Sequence, residues 1–425
     1  RNWFYHELTK SVDNVLTPDI PSEAFSMKLP STLLHKGNPN SKVSIEEILC
    51  DDCLLYILSY LDPSDLLQVE QVNQRWAALS YSAWTHCREL KVTKTLTNEQ
   101  LNGLLERTQK KLRALDISKC ADSLVLTKKV LDSIETYCPN LESLNVADNF
   151  MKSSAARLIG DKYPNIKHLN LSYCENVNDK VMKLLSTKCL NLNSLNLQGL
   201  IRLTGSCFSD FKSSLKNLVL RGCYGIKPSS FRTLVERCPE LKSLDVSYTN
   251  IDTETLTYLS KYLPQLQSLR AEGTDIEWKS GPLSSLSGLH ELNIQDGVKV
   301  DDESIKEVCL SCPNLRSLDI SDNYLVTNKG TADLTRLTSL EELNIGGTEI
   351  TNFSFFMKLN KLRKVGVTNC KAVNDEVCLQ LLGNLPFLEV LDIENSSATW
   401  LAEELAKERS AILGRPVHLH AIEAF

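Results

Sequence analysis

The chain has 425 residues, of which 42% are apolar and 24% charged, and this balance excludes wholesale disorder. A net charge of −6 argues against non-specific binding to a nucleic-acid backbone and favours a basic partner. No run of apolar residues is long enough to predict a membrane-spanning helix. The 14 cysteines are too few for a disulfide framework, and we expect all of them to be reduced and metal-free.

The first 42 residues show little periodic apolar pattern. Several prolines between Pro18 and Pro39 predict that residues 1–42 form an extended or disordered leader, with folding against the rest of the chain as the alternative. The sequence starts with Arg1 rather than Met, which indicates a fragment or a processed product and leaves open a lost signal peptide.

Three short helices are predicted between residues 43 and 86. Ser44 and Glu47 are spaced as a capping box, and an apolar stripe predicts a helix from about 45 to 61. Asp62-Pro63 is typical of the start of a second helix. The third helix is predicted from its apolar residues, Val72, Trp76 and Leu79. Three such helices cannot bury all these side chains among themselves, so part of their surface is predicted to need a partner.

From residue 87 onward the sequence repeats. Apolar residues at positions 1, 4 and 6 of a unit recur twelve times, at Leu112-Leu115-Ile117, Leu141-Leu144-Val146, Ile166-Leu169-Leu171, Leu192-Leu195-Leu197, Leu215-Leu218-Leu220, Leu241-Leu244-Val246, Leu266-Leu269-Ala271, Leu289-Leu292-Ile294, Leu315-Leu318-Ile320, Leu340-Leu343-Ile345, Leu362-Val365-Val367 and Leu388-Leu391-Ile393. A degenerate thirteenth unit precedes them at Cys87-Leu90-Val92. The average step of about 25 residues is the period of leucine-rich repeats.

Each unit predicts a strand followed by a helix. Positions 4 and 6 alternate as in a strand, and a helical period follows, as at Val181, Leu184 and Leu185. Stacked units predict an α/β solenoid over residues 87–396, a horseshoe with a parallel sheet inside and helices outside. Cys, Asn or Thr three residues after the third apolar position is expected to bond backbone groups of a turn, and this mixture resembles the cysteine-containing leucine-rich repeats. An amphipathic helix in residues 397–425 is interpreted as a C-terminal cap.

No catalytic or metal-binding motif is recognised. The close pairs Cys50/Cys53 and Cys309/Cys312 lack the further ligands that zinc needs, and so do His418 and His420, which share one face of a predicted strand. There is no phosphate-binding glycine loop, nucleophile elbow or recognisable thioester-transfer cysteine. We therefore predict no enzymatic activity, no cofactor and no metal.

The segment from 43 to 86 resembles the F-box motif. Its positions are occupied in order and spacing by Leu49, Asp51-Asp52, Leu54, Ile57, Leu58, Tyr60, Leu61, Asp62-Pro63, Asp65-Leu66-Leu67, Val72, Trp76, Leu79 and Trp84. Cys50 stands where the motif usually has proline. The resemblance implies docking on a Skp-family adaptor, which links the chain to a cullin and a RING protein. It implies an adaptor-binding surface made of Leu49, Leu54, Ile57, Leu58, Leu61, Leu66, Val72 and Trp76.

Four large residues stand out among small polar ones on the predicted concave face. They are Tyr173, Arg221, Tyr248 and Arg270. Tyrosine and arginine are enriched in binding hot spots, so we predict that these residues bind the substrate, with the arginines able to pair with a carboxylate or a phosphate. Ordinary solvated surface is the alternative.

The sequence thus predicts an F-box and leucine-rich repeat protein that acts as the substrate receptor of a cullin-RING ubiquitin ligase of the SCF type. It is expected in the cytoplasm, the nucleus or both, without a nucleic acid or a membrane as partner. Two alternatives stay open: an interaction scaffold that works without the cullin, given Cys50, and a small-molecule-gated receptor. The substrate itself is not predicted.

Overall fold

The computed structural model describes residues 49–61, 63–92, 96–108, 110–120, 127–149, 153–280 and 283–420. The described residues fall into two units, divided between Leu54 and Leu55. The predicted leader and the capping box at Ser44 lie outside the described residues. No helix in the described ranges is long and apolar enough to cross a membrane.

The α-helices of the described residues follow one another along the chain. They are α1 (Asp51–Leu58), α2 (Pro63–Val69), α3 (Gln74–Ala83), α4 (Asn98–Arg107), α5 (Lys128–Tyr137), α6 (Ser153–Lys162), α7 (Asp179–Lys188), α8 (Pro228–Arg237), α9 (Thr253–Tyr262), α10 (Asp302–Ser311), α11 (Thr331–Leu334), α12 (Asp375–Asn384) and α13 (Trp400–Leu413). Short 3₁₀ segments lie at Trp84–His86, Ser118–Cys120, Phe208–Asp210, Trp278–Ser280, Leu283–Leu286 and Ser354–Lys358.

Fourteen three-residue strands form one sheet in the described part of the chain. They are β1 (Glu89–Lys91), β2 (Ala114–Asp116), β3 (Ser143–Asn145), β4 (His168–Asn170), β5 (Ser194–Asn196), β6 (Asn217–Val219), β7 (Ser243–Asp245), β8 (Ser268–Arg270), β9 (Glu291–Asn293), β10 (Ser317–Asp319), β11 (Glu342–Asn344), β12 (Lys364–Gly366), β13 (Val390–Asp392) and β14 (His418–His420).

The sheet is entirely parallel, and neighbours in the sheet are neighbours in sequence. The position-4 residues stand opposite one another, as Leu115 does with Leu144 and Leu391 with Leu419. Since parallel strands need a crossover, the segment between two strands returns on the other side of the sheet. The predicted α/β solenoid is confirmed. The sheet also contains β14, which follows the terminal helix and pairs with β13.

The repeat leucines make the core. In the second unit Leu141, Leu144 and Val146 are all buried, and the same holds for the other units. The turn after most strands is bonded by the predicted Cys, Asn or Thr: Cys223 donates from Sγ to the carbonyl of Leu197 at 3.1 Å, and Thr249 donates from Oγ1 to the carbonyl of Val246 at 2.6 Å. These side chains satisfy backbone groups that no ladder reaches.

Three units contain 3₁₀ segments instead of the predicted α-helix. They lie between β5 and β6, β8 and β9, and β11 and β12. The first leucines of these units are about 22 or 23 residues from those of the next unit, against about 25 or more elsewhere. A step that short leaves no room for the ten-residue helix found in most of the longer units, so the chain returns in tighter turns.

The first helix ends earlier and the third begins later than the sequence predicts, whereas the second matches its prediction. Within the described residues α1 begins at Asp51, and α3 begins at Gln74 because Asn73 caps it: the Asn73 side chain accepts the N–H of Trp76 at 3.0 Å. Val72, predicted inside the third helix, therefore lies in the preceding turn and is exposed.

Candidate functional site

The eight predicted adaptor-binding residues fall into three classes of exposure. The buried ones are Leu54, Leu58 and Leu66. The half-buried ones are Leu49, Leu61 and Trp76. The exposed ones are Ile57 and Val72, at 47% and 61%. Of the eight, the last pair presents the largest exposed apolar fraction to a partner, whereas the buried leucines support the helices from within.

Two tyrosines missed as candidate contact residues flank Ile57. Tyr56 and Tyr60 are 62% and 57% exposed, and their rings meet edge to face with centroids 5.1 Å apart. Their hydroxyls are hydrogen-bonded at 2.6 Å. Their spacing of four residues on one helical face was the available signal. Exposed aromatic side chains next to aliphatic ones are typical of protein-binding surfaces.

A partly buried polar contact joins the first three helices to the first repeat. Trp84 is fully buried and donates from Nε1 to Glu70 Oε1 at 3.0 Å. The guanidinium of Arg107, at the end of α4, donates to both Glu70 oxygens at 3.1 and 3.2 Å. One carboxylate thus ties the end of α2, the segment after α3 and the first repeat helix together. We refer to Glu70, Trp84 and Arg107 as the clamp.

The second candidate surface lies at the carboxyl edge of the sheet. In eleven units the residue two after the third apolar position has a positive φ: Asp148, Tyr173, Gly199, Gly222, Tyr248, Gly273, Asp296, Asp322, Gly347, Asn369 and Asn395. In the first ten of these residues the N–H donates to a carbonyl in the next repeat, as Tyr173 does to Gln198 at 2.8 Å. Glycine, asparagine and aspartate tolerate this conformation, whereas a bulky residue there is strained.

Tyr173 and Tyr248 are the bulky residues of this row, with φ of 59° and 51°. Both rings lean over a glycine of the following unit. A Cβ on Gly199 would lie 2.4 Å from Cδ1 of Tyr173, and a Cβ on Gly273 would lie 2.4 Å from Cε1 of Tyr248. The glycines are therefore required for the rings to fit. Strained residues of this kind cost about 1–3 kcal/mol each and cluster at functional sites.

Arg221 and Tyr248 meet around a buried carboxylate. The Arg221 guanidinium forms an ion pair with Glu272 and lies over the Tyr248 ring, 4.7 Å from its centroid. The Tyr248 hydroxyl donates to Glu272 Oε1 at 2.6 Å. Burial, together with the negative charge of Glu272, raises the pKa of Tyr248 well above its usual range. Glu272 lies 51 residues from Arg221 in sequence, so the spacing of apolar residues could not predict this pairing.

The two arginines that the sequence predicts to pair with substrate anions lie mostly buried in the structure. Arg221 and Arg270 are only 13% and 12% exposed, and each already pairs with a carboxylate, Glu272 and Glu291 respectively. They also lower the pKa of the buried Asp245, which burial raises overall. Each guanidinium is thus held by charges of its own chain.

The exposed charge nearest to this network is acidic. The pKa of Asp296 is raised, first by partial burial and then by the negative charges of Asp322 and Glu272. Asp322 accepts a hydrogen bond from the Gln295 side chain at 2.8 Å. A positive group placed here would relieve the repulsion among these carboxylates.

Within the described ranges no group of three or more His, Cys, Asp or Glu residues could hold a metal ion. His418 and His420 are both exposed on β14. A surface cavity of about 320 Å³ lies at the other end of the strands, and its lining includes Arg363 and Glu389, which are paired with each other at 2.5 Å.

The fold and these surfaces define a leucine-rich repeat protein with a small helical segment before its first repeat. Comparison with known proteins agrees. An F-box-like family model matches residues 49–88, and a leucine-rich repeat model matches residues 311–331. The chain is an F-box and leucine-rich repeat protein.

Curated relatives share about a quarter of their residues with the chain. EEED8.10 of Caenorhabditis elegans, named as a candidate RNA-binding protein, is 24% identical over 81% of the chain and 49% of its own length. The DNA repair protein rhp7 of Schizosaccharomyces pombe is 24% identical over 92% of the chain and 66% of its own length. F-box/LRR-repeat protein 4 of Bos taurus is 26% identical over 51% of the chain and 38% of its own length. The chain thus spans between about two fifths and two thirds of these relatives.

Two solved structures share the general architecture. An internalin from Listeria monocytogenes has a TM-score of 0.41 at 19% identity. The match covers 86% of the chain and 92% of the internalin chain. A chain of the yeast complex of Rad7 and Elc1 gives a TM-score of 0.48 at 17% identity. The match covers 82% of the chain and 88% of the matched chain of that complex.

Proposed function

We propose that the protein is the substrate receptor of an SCF-type cullin-RING ubiquitin ligase. The observation that carries this proposal is the presence, in one chain, of an F-box-like segment with exposed apolar side chains and a long repeat sheet with strained tyrosines at its edge. The F-box binds a Skp-family adaptor, and the repeats hold the substrate. Catalysis belongs to the other subunits, and this chain contributes proximity.

The adaptor contact is proposed for the exposed residues of the F-box segment. Ile57 and Val72, with Tyr56 and Tyr60 beside Ile57, offer the apolar and aromatic contacts that such interfaces use. Leu54 and Leu58 are buried, so replacing them with alanine would open cavities that cost roughly 2–5 kcal/mol each. That change tests folding rather than contact.

The sharper test is the double variant Ile57→Ala, Val72→Ala. If each residue is a hot spot worth about 2 kcal/mol, affinity for a Skp-family adaptor falls roughly a thousandfold by calorimetry. The matched control is Val298→Ala, Ile412→Ala, which truncates the same residue types at sites 71% and 75% exposed outside the F-box. Unchanged affinity in the folded F-box variant would exclude this surface.

The substrate contact is proposed for the carboxyl edge of the sheet around Tyr173 and Tyr248. Tyr173 is the more accessible, at 45% exposure. Arg221 and Arg270 support the surface from within, because both are held in ion pairs. The neighbouring carboxylates of Asp296 and Asp322 favour a substrate segment rich in lysine or arginine over an acidic or phosphorylated one.

Tyr173→Asn tests this surface with little risk to the fold. Asparagine occupies the equivalent turn positions at Asn369 and Asn395, also with positive φ, so the variant keeps or gains stability. The variant is purified by affinity from cells in which the proteasome and neddylation are inhibited. We expect the adaptor to copurify with it and the substrates to be lost. Tyr324→Asn, an exposed tyrosine outside the row, is the control. An unchanged interactor list for Tyr173→Asn contradicts the proposal.

Two alternatives are distinguished by the partners that copurify. A scaffold that works without the cullin retains the adaptor alone, whereas the receptor retains adaptor and cullin together. A small-molecule-gated receptor needs a pocket at the substrate surface, and the 320 Å³ cavity lies at the opposite strand end among paired charges. We propose a nuclear location, with the cytoplasm as a second site, because the relative rhp7 is named as a DNA repair protein.

A further inference from the structure

Two exposed cysteines stand at the amino end of α1. Cys50 precedes the helix, and its carbonyl accepts the N–H of Leu54 at 3.1 Å, while Cys53 lies in the first turn. Both side chains are exposed, and their Sγ atoms are hydrogen-bonded at 3.4 Å. Residues three apart on a helix face each other within the Cα range that a disulfide requires.

The two thiols are chemically unequal. The pKa of Cys50 is lowered by the backbone N–H of Cys53 and by the hydrogen bond with the Cys53 thiol, with a further contribution from the N–H of Asp52. The pKa of Cys53 is raised, mainly by its hydrogen bond with Cys50. The thiolate form is thus favoured at Cys50 over Cys53, next to the positive end of a helix. This is the arrangement of an attacking thiolate beside a resolving thiol.

A second pair with the same spacing has the opposite environment. Cys309 and Cys312 lie at the carboxyl end of α10 and are both buried. Burial raises the pKa of each to about 12. Neither forms a thiolate at neutral pH, and neither is open to a reagent. The spacing alone, which the two pairs share, therefore does not decide reactivity.

We propose that Cys50 and Cys53 form an oxidisable dithiol that closes to an intramolecular disulfide by exchange with a low-molecular-weight disulfide such as oxidised glutathione. The Cys50 thiolate attacks one glutathione sulfur, which forms a mixed disulfide and releases one glutathione thiolate. The Cys53 thiol then loses its proton to solvent and attacks Cys50 Sγ, which closes the Cys50–Cys53 bond and releases the second glutathione. The two cysteines lose two electrons, and the oxidised glutathione gains them as two thiols.

With this proposal, the expectation that the cysteines stay reduced applies to the twelve other than Cys50 and Cys53. Every one of them is a free thiol in the structure. Eleven of the remaining twelve are buried, and Cys87 is half-buried with a pKa raised by burial to about 11. Only the pair at α1 combines exposure, proximity and a thiol of lowered pKa. The site requires no partner protein, so it stands independently of the proposed ligase role.

Mass spectrometry of the full chain tests the proposal. Protein is incubated with a glutathione redox buffer, quenched by alkylation and digested with trypsin. Cleavage after Lys42 and Arg75 gives the peptide 43–75, whose only cysteines are Cys50 and Cys53, and cleavage after Lys306 and Arg316 gives 307–316, whose only cysteines are Cys309 and Cys312. The two pairs are therefore read separately in one digest.

We expect peptide 43–75 to lose two hydrogens and take no alkyl group, while 307–316 takes two. In the Cys53→Ser variant, Cys50 should instead retain a glutathione, because no resolving thiol is present. In the Cys50→Ser variant, glutathionylation of Cys53 should be at least about tenfold slower, because its thiol is not activated. Two alkyl groups on peptide 43–75 at every redox ratio, or equal oxidation of both peptides, would overturn the proposal.

Discussion

Asp319 occupies a repeat position at which either asparagine or aspartate makes the same backbone hydrogen bond. The residue after the position-4 leucine is Asn or Asp in most units, and its Oδ1 accepts the backbone N–H two residues on, as in Asn293 with Gln295 at 2.9 Å. Asp319 makes the same bond with Ser321 at 3.0 Å. Asparagine makes it without charge, whereas the Asp319 carboxylate is buried.

The fold should therefore gain stability when Asp319→Asn is made. Burial raises the pKa of Asp319 to about 6, although hydrogen bonds from Ser321 and Asn344 oppose the shift. The unfolded carboxyl titrates near about 4, so the folded state binds an extra proton between about pH 4 and 6. Stability falls as pH rises through this window, by roughly 2–3 kcal/mol, and the loss is complete above about pH 6.

The expected result is a higher urea midpoint for Asp319→Asn at pH 7.5 and nearly equal midpoints at pH 4. Asp116 holds the equivalent position on β2 but is half-buried, and Asp116→Asn serves as the control, with a change under about 0.5 kcal/mol. An equal gain for Asp319→Asn at both pH values would mean that the charge is not its cause.

Residue types could be predicted from the sequence, but most of their partners could not. Tyr173, Arg221, Tyr248 and Arg270 stand out from their repeat positions without any structure. That Glu272 binds both Arg221 and Tyr248 depends on the register of three strands. The positive φ of Tyr173 and Tyr248 could have been predicted only by aligning the turn position of every unit. The glycines at that position in other units were the available signal.

Among the secondary-structure elements, the short units have 3₁₀ turns between their strands where the apolar pattern predicts an α-helix. The apolar triplets predict strands well, because each strand is only three residues long and its leucine faces the core. The connecting helices are less regular: units of about 22 or 23 residues contain 3₁₀ turns. The clamp could not be predicted either, because Glu70 and Arg107 lie in different domains of the sequence pattern.

Glu70→Ala is expected to loosen the F-box helices from the first repeat. It removes both acceptor atoms of the Arg107 guanidinium and leaves the buried Trp84 Nε1–H unsatisfied, which costs about 2 kcal/mol. Hydrogen exchange should speed up in α3 and α4 and stay unchanged in α12. Glu106→Ala, which removes an exposed carboxylate next to Arg107, is the control. Equal exchange in both variants would show that the clamp does not hold the helices.

For the whole molecule, the repeat architecture predicts that a mutation or truncation destabilises only the repeats next to it. Each strand pairs only with its neighbours along the chain, so the free energy of each repeat depends on the repeats beside it. The clamp is the corresponding contact at the amino end, and it joins the segment that holds the proposed adaptor surface to the first repeat. Binding of adaptor and substrate should therefore be separable by mutation, as the proposed function requires.

Removal of residues 397–425 tests this locality at the other end of the sheet. The segment contains α13 and β14, and the Arg415 guanidinium donates to the carbonyls of Leu388 and Pro386, both at 3.0 Å. Without it the edge of β13 is open to water, so its amides lose protection. We expect faster hydrogen exchange in β12 and β13, with β1 to β5 and adaptor affinity unchanged.

The point variant Arg415→Ala should give the same pattern more weakly, because it removes the two carbonyl contacts and leaves β14 paired with β13. If the truncated chain instead loses protection in β1 to β5, the repeats unfold as one cooperative unit. Nearest-neighbour stability would then not hold for this solenoid, and the separation of the two binding surfaces would lose its physical basis.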